Sequence, residues 1–403
     1  MRIAYILHRF PVRTDTFIRR EIRCLQSAGM DVSVVSIWRP VGEETTIELL
    51  REWAQVCFVL PNSALSVVKA LCRTILMSPR RTVRALRLAV PLSRPGLRGA
   101  IYQLFYFTEA ALAASALRSQ NIDHIHNHFG DQSGTVAMLA AALLEVDYSI
   151  SFHGPHIFFD AQNSALREKI RRARFIRCIS YYCRSQLMVV AAKSKLPPLS
   201  IVHCGLEVER YHFREPRRDV ARLFCAARLA PEKGIEFLIK ALSLLTKMHP
   251  NLYLRLAGDG PSRDALMVAA RKLGVGDRIF FLGNLSDKEI TCELETADLF
   301  VLPSLAEGVP VSVMEAMAVG VPVVATNIAG TSELVEDGRT GLLVRPCDPD
   351  ALVHAIDMMI RDYEFRVTAA RLGRAKVEDE FDVRREVPKL IADFEVRVRE
   401  AAR

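Results

Sequence analysis

The amino-acid sequence predicts an α/β protein with two doubly wound halves, each built on a parallel sheet. Three observations lead to this prediction. The chain has 403 residues, which is enough for two domains of ordinary size. Short strand-like runs alternate with helical patterns along both halves, as expected of parallel sheets covered by helices. A polar, basic stretch over residues 207–220 separates the two series, and we expect it to be a linker.

This division predicts the extent of each domain. We expect an N-terminal domain over residues 1–205 and a C-terminal domain over residues 206–382. Residues 383–403 are charged and have a helical pattern, so we expect a last helix there. Such a helix could either close the C-terminal domain or cross back to the N-terminal one.

The N-terminal half opens with a strand, a helix and a second strand. Residues 2–7 form an apolar run that predicts a buried strand. Ile18, Ile22 and Leu25 recur at helical spacing, and Gly29 follows at a typical C-terminal cap position. Further strand-like runs follow over residues 31–37, 122–126, 149–152, 175–179 and 200–203.

Residues 53–108 contain no acidic side chain, and their prolines divide the segment into short helices. Cations recur at spacings of three and four, with Leu, Val and Ile expected on the opposite helix faces. Such a basic surface favours anionic lipid headgroups, while the alternative is a set of helices packed on the sheet with a solvated basic side. Few aromatic residues are interleaved, which argues against a nucleic-acid groove. The cations are Lys69, Arg73, Arg80, Arg84 and Arg87.

Composition and charge restrict the classes of function. The formal net charge of +8 favours binding to nucleic acid, anionic lipid or phosphate-bearing substrates, and it does not discriminate between these three partners. The nine cysteines are scattered without a paired spacing, which is typical of buried thiols in a reducing compartment. We find neither a signal-peptide pattern nor an apolar run of membrane-spanning length. We therefore expect a cytoplasmic protein, either free or peripheral on the inner face of the cytoplasmic membrane.

The C-terminal half contains a second series of strand-like runs, over residues 223–227, 253–257, 279–281, 299–302, 321–325 and 341–344. After the fourth run comes a loop that leads into a predicted helix. Residues 307–315 span the loop and the helix start, and this stretch begins with Glu307 and ends with Glu315. Free backbone N–H groups at a helix start bind anionic or hydroxyl oxygens, and carboxylates accept hydrogen bonds from vicinal hydroxyls. The loop and the helix start consist of Glu307, Gly308, Val309, Pro310 and Val311.

Two glutamates eight positions apart also occur by chance, as one dipole-favoured and one surface residue. Other motifs support the functional interpretation. They are residues 225–234, which include Arg228 and Lys233; residues 257–261, with Gly258; residues 281–284, with Gly283; and residues 320–326 and 338–344. In this order, the motifs resemble the family-4 (GT4) retaining glycosyltransferases of the GT-B fold over nearly the whole C-terminal half.

The resemblance implies two Rossmann-like domains that face each other across a cleft, and a metal-independent transfer from a nucleotide-diphosphate sugar. Arg228 and Lys233 would hold the donor diphosphate, Glu315 the ribose hydroxyls and Glu307 the hydroxyls of the transferred sugar. The loop 308–311 would contribute backbone groups, with Gly258 and Gly283 at neighbouring strand ends. No cofactor is expected, and we interpret Asp348, before a predicted helix, as a helix cap and not as part of a metal site.

Histidines follow two strands of the N-terminal half, in the segments 126–130 and 151–156. Four histidines at adjacent strand ends could form a metal site, which we take as the minor alternative. By resemblance, His153 would contact the donor sugar and diphosphate. Residues 9–18 and Glu21 resemble the opening loop of a subgroup that builds exopolysaccharides of the colanic-acid type.

The resemblance therefore implies a lipid-linked or oligosaccharide acceptor for surface polysaccharide or glycolipid synthesis. Two other classes stay open. A nucleotide-sugar epimerase on the same fold would consume the donor without any acceptor. A catalytically dead scaffold would bind the nucleotide sugar and transfer nothing.

Overall fold

The computed structural model describes residues 1–92, 96–154, 156–159, 161, 164–191 and 195–399. The chain folds into two compact units. Unit 1 contains Met1–His203 together with the chain from Glu386 onward, and unit 2 contains Cys204–Arg385. Residues 400–403 of the predicted last helix lie outside the described residues.

Unit 1 is built on a seven-stranded sheet in which every pair of neighbouring strands is parallel. The order in space is β3-β2-β1-β4-β5-β6-β7, so the winding direction reverses between β1 and β4. The strands are β1 (Arg2–Arg9), β2 (Asp31–Trp38), β3 (Cys57–Leu60), β4 (His124–His128), β5 (Asp147–Phe152), β6 (Ile176–Cys178) and β7 (Leu199–Ile201).

Helices cover both faces of this sheet. Helix α1 buries Ile18, Ile22 and Leu25, as their helical spacing predicts. Helix α6 is buried along almost its whole length, because it packs between β4, β5 and α5. The helices are α1 (Thr16–Ser27), α2 (Ile47–Glu52), α3 (Ala64–Met77), α4 (Pro79–Ala89), α5 (Leu97–Leu117), α6 (Gln132–Leu144), α7 (His156–Phe159), α8 (Leu166–Arg172) and α9 (Tyr181–Ala191).

Unit 2 is built on a six-stranded sheet with the order β10-β9-β8-β11-β12-β13, again parallel throughout. Its winding direction reverses between β8 and β11. The strands are β8 (Arg222–Ala226), β9 (Tyr253–Ala257), β10 (Ile279–Gly283), β11 (Leu299–Leu302), β12 (Val323–Thr326) and β13 (Leu342–Val344). The predicted α/β class with two parallel sheets is thus confirmed.

The helices of unit 2 are α10 (Ile235–Met248), α11 (Arg263–Lys272), α12 (Asp287–Thr296), α13 (Val311–Val319), α14 (Thr331–Leu334), α15 (Pro349–Arg361) and α16 (Tyr363–Glu380). Asp348 caps α15, since its carboxylate accepts from the N–H of Ala351 at 2.9 Å. The cap satisfies one of the free donors at the helix start, as the sequence predicts.

The segment predicted as a linker, residues 207–220, is bound to unit 2. The buried guanidinium of Arg366 donates to the carbonyls of Arg217 at 2.9 Å and Arg218 at 2.7 Å. The N–H of Arg214 donates to the carbonyl of Val319 at 2.8 Å. The polar composition of this segment therefore reflects a surface strap and not a free connection.

One strand was missed in the sequence. Residues 53–108 were expected to be helical, whereas Cys57–Leu60 form β3 at the edge of the sheet and pair with β2. The run is only four residues long and ends at Pro61, so its pattern is too short to separate a strand from the helices that follow.

The last helix, α17 (Val383–Arg399), contributes to the core of unit 1 from Glu386 onward. Phe394 is fully buried, and its ring centroid lies 5.5 Å from that of Phe175 and 5.4 Å from that of His126. The carboxylate of Glu386 accepts from the N–H of His203 at 2.7 Å. The end of the chain therefore closes the fold of unit 1.

Replacing Phe394 by alanine is expected to lower the free energy of unfolding by about 3–5 kcal/mol, because a buried aromatic ring leaves a cavity. Val396→Ala in the same helix is the control, since Val396 is 54% exposed and its change should stay within about 0.5 kcal/mol. Urea unfolding of both variants checks this. Equal losses would contradict the packing of α17 in unit 1.

Candidate functional site

The carboxyl ends of β8 and β11 form the place in unit 2 where loops diverge. From β8 the chain continues to β9 on one side, and from β11 it continues to β12 on the other. In open parallel sheets, a crevice forms at such a reversal and accepts ligands. Residues 227–234 and 303–310 occupy this position.

Glycines allow these loops to approach each other closely. Gly258 has a φ of +120°, and a Cβ there would lie 2.0 Å from the carbonyl oxygen of Ala227. Gly234 has a φ of +58°, and a Cβ there would lie 2.3 Å from the carbonyl oxygen of Pro303. Real Cβ atoms do not fit at these distances, so only glycine permits the packing. The loop after β8 is therefore held on both sides by its neighbours.

Lys233 and Glu307 meet at this crevice. The Lys233 ammonium lies 2.6 Å from Oε1 of Glu307, and the hydroxyl of the buried Ser304 donates to the same oxygen at 2.7 Å. The side chains of Lys233 and Glu307 are 20% and 11% exposed. The two residues were predicted to bind different parts of a ligand, and the structure pairs them with each other.

Glu315 lies in the second turn of α13, where Oε1 accepts from the hydroxyl of Tyr211 at 3.0 Å. This hydrogen bond fixes the orientation of the carboxylate. Sequence reasoning missed Tyr211, because it belongs to the polar segment interpreted as a linker. Its only sequence signal is an aromatic residue within that polar run.

The start of α13 offers several backbone donors. Pro310 is the N-cap residue and has no N–H of its own, and α13 begins at Val311, within the predicted helix start. Within the described ranges, no acceptor contacts the N–H groups of Gly308, Val309 and Val311. Unpaired donors of this kind bind water or an anionic ligand.

Arg228 lies on the loop after β8, with an exposed side chain. Over the part of the chain that the structure describes, its guanidinium contacts no acidic group and no carbonyl. Lys233, in contrast, is already paired with a carboxylate. Arg228 therefore offers this edge of the sheet a cation whose charge is not neutralised.

Gly258 and Gly283 are bonded to each other, because the N–H of Gly258 donates to the carbonyl of Gly283 at 2.8 Å. The predicted contact of these residues with a ligand stays a prediction. In the structure, the backbone hydrogen bond between the two glycines joins the ends of β9 and β10.

Unit 1 contains a second concentration of polar groups, buried around the histidines of β4. Both ring nitrogens of His126 are hydrogen-bonded to serine hydroxyls, at 2.7 Å to Ser149 and at 2.8 Å to Ser151. Nδ1 of His128 lies 2.7 Å from Nε2 of His153. These side chains are all buried. The structure thus brings together the two predicted histidine motifs, although residue 155 of the second lies outside the described residues.

Glu21 and Arg177 complete this cluster, and neither was singled out for it by sequence reasoning. Oε1 of Glu21 lies 3.2 Å from Nε2 of His128, and Oε2 accepts from the guanidinium of Arg177. A sequence signal did exist for Glu21, since a charged residue is unexpected on the apolar face of α1. Arg177 gave no signal beyond a cation within a buried strand.

The ligand atoms of Glu21, His126 and His128 lie within 4.8 Å of one another, which is close enough to share a metal ion. Each of the three already has protein partners. Arg177 neutralises Glu21, and serine hydroxyls occupy both nitrogens of His126. The three residues thus belong to a hydrogen-bond network within the protein.

Burial sets the protonation of this network. It lowers the pKa of His153, and the neighbouring His128 lowers it further. Burial also lowers the pKa of His128, which Glu21 opposes. Burial alone would raise the pKa of the Glu21 carboxyl, but Arg177 and His128 outweigh it and hold that pKa well below its usual range. The histidines are therefore neutral and Glu21 is charged.

The loop that resembles the exopolysaccharide subgroup lies beside His153. The ring centroid of Phe17 is 4.7 Å from that of His153. The ring centroid of Phe129, in the first histidine motif, is 5.0 Å from that of His153. Asp15, at the start of α1, is buried, and this burial raises the pKa of its carboxyl to about 7. The opening motif thus covers the histidine cluster.

The basic segment differs from its prediction. Its cations Lys69, Arg73, Arg80, Arg84 and Arg87 are exposed, as expected. Large aliphatic residues were expected on the opposite, buried faces, whereas the buried positions of α3 and α4 hold small side chains. Leu76 is 80% exposed and Leu97 is 79% exposed, more than any other described large apolar residue. Other exposed apolar residues are Leu65, Val68, Ile75, Val83, Val90, Ile101, Leu104 and Phe105.

Comparison with known proteins identifies similar chains. Residues 208–376 match the model of the family "Glycosyl transferases group 1". The glycogen synthase of Mycobacterium tuberculosis is 35% identical over 189 residues, which is 46% of each chain, so the chain spans about half the length of that relative. The putative colanic acid biosynthesis glycosyltransferase WcaL of Salmonella typhimurium is 26% identical over 95% of this chain and 96% of its own.

Among solved structures, Anabaena Alr3699/HepE in complex with UDP and glucose superposes with a TM-score of 0.74. It is 20% identical and covers 98% of this chain and 99% of its own. Sucrose-phosphate synthase from Thermosynechococcus elongatus superposes with a TM-score of 0.73 at 18% identity, over 98% of each chain. At these identities, the likeness shows a shared fold.

Gly258→Ala is expected to destabilise unit 2 by about 2 kcal/mol or more beyond Gly283→Ala. Both residues have positive φ angles, +120° and +68°, which cost an alanine about 1–2 kcal/mol each. Only at Gly258 would the new Cβ also meet a carbonyl oxygen. Urea unfolding of the two variants measures the difference. Similar losses would contradict the close approach at the crevice.

Proposed function

Since residues 208–376 of this chain belong to the group 1 glycosyltransferases, we propose that the protein moves a sugar from a nucleotide diphosphate to a glycan acceptor. The observation that carries the proposal is the set of charged groups at the reversal between β8 and β11. It contains the exposed Arg228, whose guanidinium has no partner among the described residues, and the pair of Lys233 and Glu307. The acceptor would be a lipid-linked precursor of surface polysaccharide.

The cations suit the leaving group of this reaction. When the glycosidic bond breaks, negative charge grows on the nucleoside diphosphate, and fixed cations stabilise it. Arg228 can bind phosphate oxygens without losing a contact to any residue that the structure describes. Lys233 would exchange part of its contact with Glu307 for phosphate, which would free that carboxylate for the transferred sugar. We therefore propose that no metal is needed.

The carboxylates suit hydroxyl groups. A carboxylate accepts two or more hydrogen bonds, and a bond to a charged acceptor contributes about 1.5–3 kcal/mol. We assign the sugar hydroxyls to Glu307, which Ser304 and Lys233 orient. We assign the ribose hydroxyls to Glu315, which Tyr211 orients. The free N–H groups at the start of α13 would bind the remaining oxygens.

The stereochemical course proposed here is retention. The acceptor hydroxyl would attack the anomeric carbon from the face that the diphosphate leaves. A phosphate oxygen of the leaving group would take the acceptor proton, so no protein base is required. The role assigned to His153 in contacting the donor stays a prediction.

The comparisons support the classes of donor and acceptor. A protein of the same fold was solved with UDP and glucose, which supports a nucleotide-sugar donor. Full-length relatives carry names that refer to colanic acid and amylovoran biosynthesis, which supports a surface polysaccharide as the product class.

We also propose that the protein acts at the inner face of the cytoplasmic membrane. None of the described helices has both the length and the apolar character needed to cross a bilayer. Exposed aliphatic side chains are instead interspersed with the cations of α3 and α4 and at the start of α5. Such a surface suits the boundary between anionic headgroups and acyl chains, where a lipid-linked acceptor is located.

The donor site predicts metal-free binding of a nucleotide sugar. In the presence of EDTA, one sugar among UDP-, GDP- and ADP-linked donors is expected to stabilise the protein by about 2.7 kcal/mol at a hundredfold excess over its Kd. Arg228→Ala is expected to weaken this binding about tenfold to a hundredfold with no loss of stability, because the side chain has no partner to lose within the described ranges. Thermal unfolding and calorimetric titration measure both effects.

The control is Lys272→Ala, which removes an exposed cation from the end of α11 and should leave donor affinity unchanged. Glu315→Ala is expected to weaken binding as Arg228→Ala does. If no donor binds to the folded protein, or if binding appears only with Mg²⁺ or Mn²⁺, the proposal is wrong in its donor or in its metal independence.

The basic segment predicts binding to anionic membranes. Leu76→Ser combined with Leu97→Ser is expected to weaken co-sedimentation with phosphatidylglycerol vesicles at least about tenfold, since burying one leucine contributes about 1.5–3 kcal/mol. The control is Val268→Ser combined with Leu273→Ser, at exposed positions of unit 2. Equal binding to phosphatidylcholine alone would contradict the role of the cations, and no binding at all would contradict the membrane proposal.

A further inference from the structure

Lys233 and Glu307 neutralise each other at the crevice of unit 2. Among the described residues, the Lys233 ammonium contacts Oε1 of Glu307, 2.6 Å away, and no other acceptor. Both side chains are largely shielded from solvent. Removing one partner from such a pair leaves the other charge poorly hydrated, which costs more than the loss of an exposed pair. A ligand that takes only one of the two residues must meet this cost.

The backbone on both sides of the pair is fixed, so only side chains can open it. The N–H of Leu305 donates to the carbonyl of Glu232 at 2.8 Å, which joins the two loops directly. A Cβ on Gly234 would lie 2.3 Å from the carbonyl oxygen of Pro303, so the loops are also in close contact there. Opening the pair therefore requires rotation of the Lys233 side chain, whose four-carbon stem is flexible.

Ser304 keeps Glu307 in place when Lys233 turns away. Its hydroxyl donates to Oε1 of Glu307 at 2.7 Å, and its carbonyl accepts from the hydroxyl of Thr326. Ser304 is fully buried, so a ligand does not reach this hydroxyl. Within the described ranges, Oε2 of Glu307 has no hydrogen-bond partner. An opened Glu307 is thus still oriented, and it can accept hydrogen bonds from a ligand.

We propose that the pair of Lys233 and Glu307 is a gate that makes the site select an intact nucleotide sugar over the free nucleoside diphosphate. The inference rests on the proposed function, in which phosphate binds Lys233 and the sugar binds Glu307. An intact donor supplies a new partner to both residues at once. A nucleoside diphosphate supplies phosphate alone, so it either leaves the pair closed or leaves Glu307 without a counter-charge.

Arg228 is the cation that the gate does not control. It is exposed, and its guanidinium has no partner among the described residues. It can therefore bind the phosphates of either ligand at the same cost, and it does not discriminate between them. Lys233 adds its contact when the sugar is present. Once the sugar has been transferred, the pair closes again, and the diphosphate product loses one of its two cations.

The test compares ligands with and without a sugar on Glu307→Gln. Glutamine keeps the size of the side chain and an oxygen for Ser304, but it lacks the charge that holds Lys233. Inorganic pyrophosphate and UDP, GDP or ADP are expected to bind about threefold to tenfold more tightly than to the wild type. The matching nucleotide sugar is not expected to gain affinity, because it loses a charged acceptor. Calorimetric titration in EDTA measures each dissociation constant.

The opposite signs separate a gate from a structural role, because a distorted site would bind both kinds of ligand more weakly. Arg228→Ala is expected to weaken the nucleoside diphosphate and the nucleotide sugar by the same factor. An unchanged or weaker affinity of Glu307→Gln for pyrophosphate would overturn the proposal, as would the absence of pyrophosphate binding to both proteins. Urea unfolding establishes that each variant is folded.

The matched control is Glu232→Gln. Glu232 is exposed and precedes Lys233, and its carboxylate has no partner within the part of the chain that the structure describes. This change removes the same charge from the same loop without opening the pair, so the affinity for pyrophosphate should change less than about twofold. A gain equal to that of Glu307→Gln would show a general effect of charge and would overturn the gate.

The same titrations separate the gate from the proposed function. If nucleotide sugars bind to the wild type and Glu307→Gln does not favour pyrophosphate, the function stands and the gate is wrong. If no nucleotide sugar binds and Glu307→Gln still favours pyrophosphate, the proposed donor is wrong, and the control of Lys233 by Glu307 stands without a sugar.

Discussion

The reversal of strand order in a parallel sheet is the constraint on which the rest of the structure depends. Every strand in these sheets must return through a helix, and neighbouring connections on one side crowd each other. Between β8 and β11, two connections leave in opposite directions, which opens space at the carboxyl ends. Lys233 on one loop and Glu307 on the other meet there, although 74 positions separate them in sequence. The winding of the chain, and not any local pattern, makes this pair.

The strands could be predicted because both faces of each sheet are covered. Most of these covered strands are apolar runs that are visible in a single sequence, while β4 and β6 also bury polar side chains. β3 was not predicted, because an edge strand of four residues is too short to show a pattern of alternating apolar residues. The attachment of residues 207–220 to unit 2 was not predicted, because backbone carbonyls of this segment accept from the distant Arg366. Every residue has a carbonyl, so the sequence does not indicate such contacts. The contact of Tyr211 with Glu315 was not predicted for the same reason, since Tyr211 belongs to this segment.

The candidate site could be predicted in its residue types but not in its pairings. The motifs identified Lys233, Glu307 and Glu315, and they could not show that Lys233 neutralises Glu307 or that Tyr211 orients Glu315. In unit 1 the histidines were visible as motifs. The residue that sets their protonation, Glu21, lies on another element, and its effect depends on an approach of 3.2 Å. Pairing distances follow from packing, which a motif does not encode.

The two clusters of charge differ in a way that follows from solvation. Glu21 is buried, so its charge must be balanced by Arg177. Its carboxylate also accepts a hydrogen bond from the hydroxyl of Tyr5. Arg228 is exposed, so its charge costs little to keep and needs no partner. A cation without a partner can attract a polyanion, whereas a balanced buried pair cannot. The same physical rule therefore explains why the charge of Arg228 stays accessible to solvent at the edge of unit 2, while the charge of Glu21 is balanced inside unit 1.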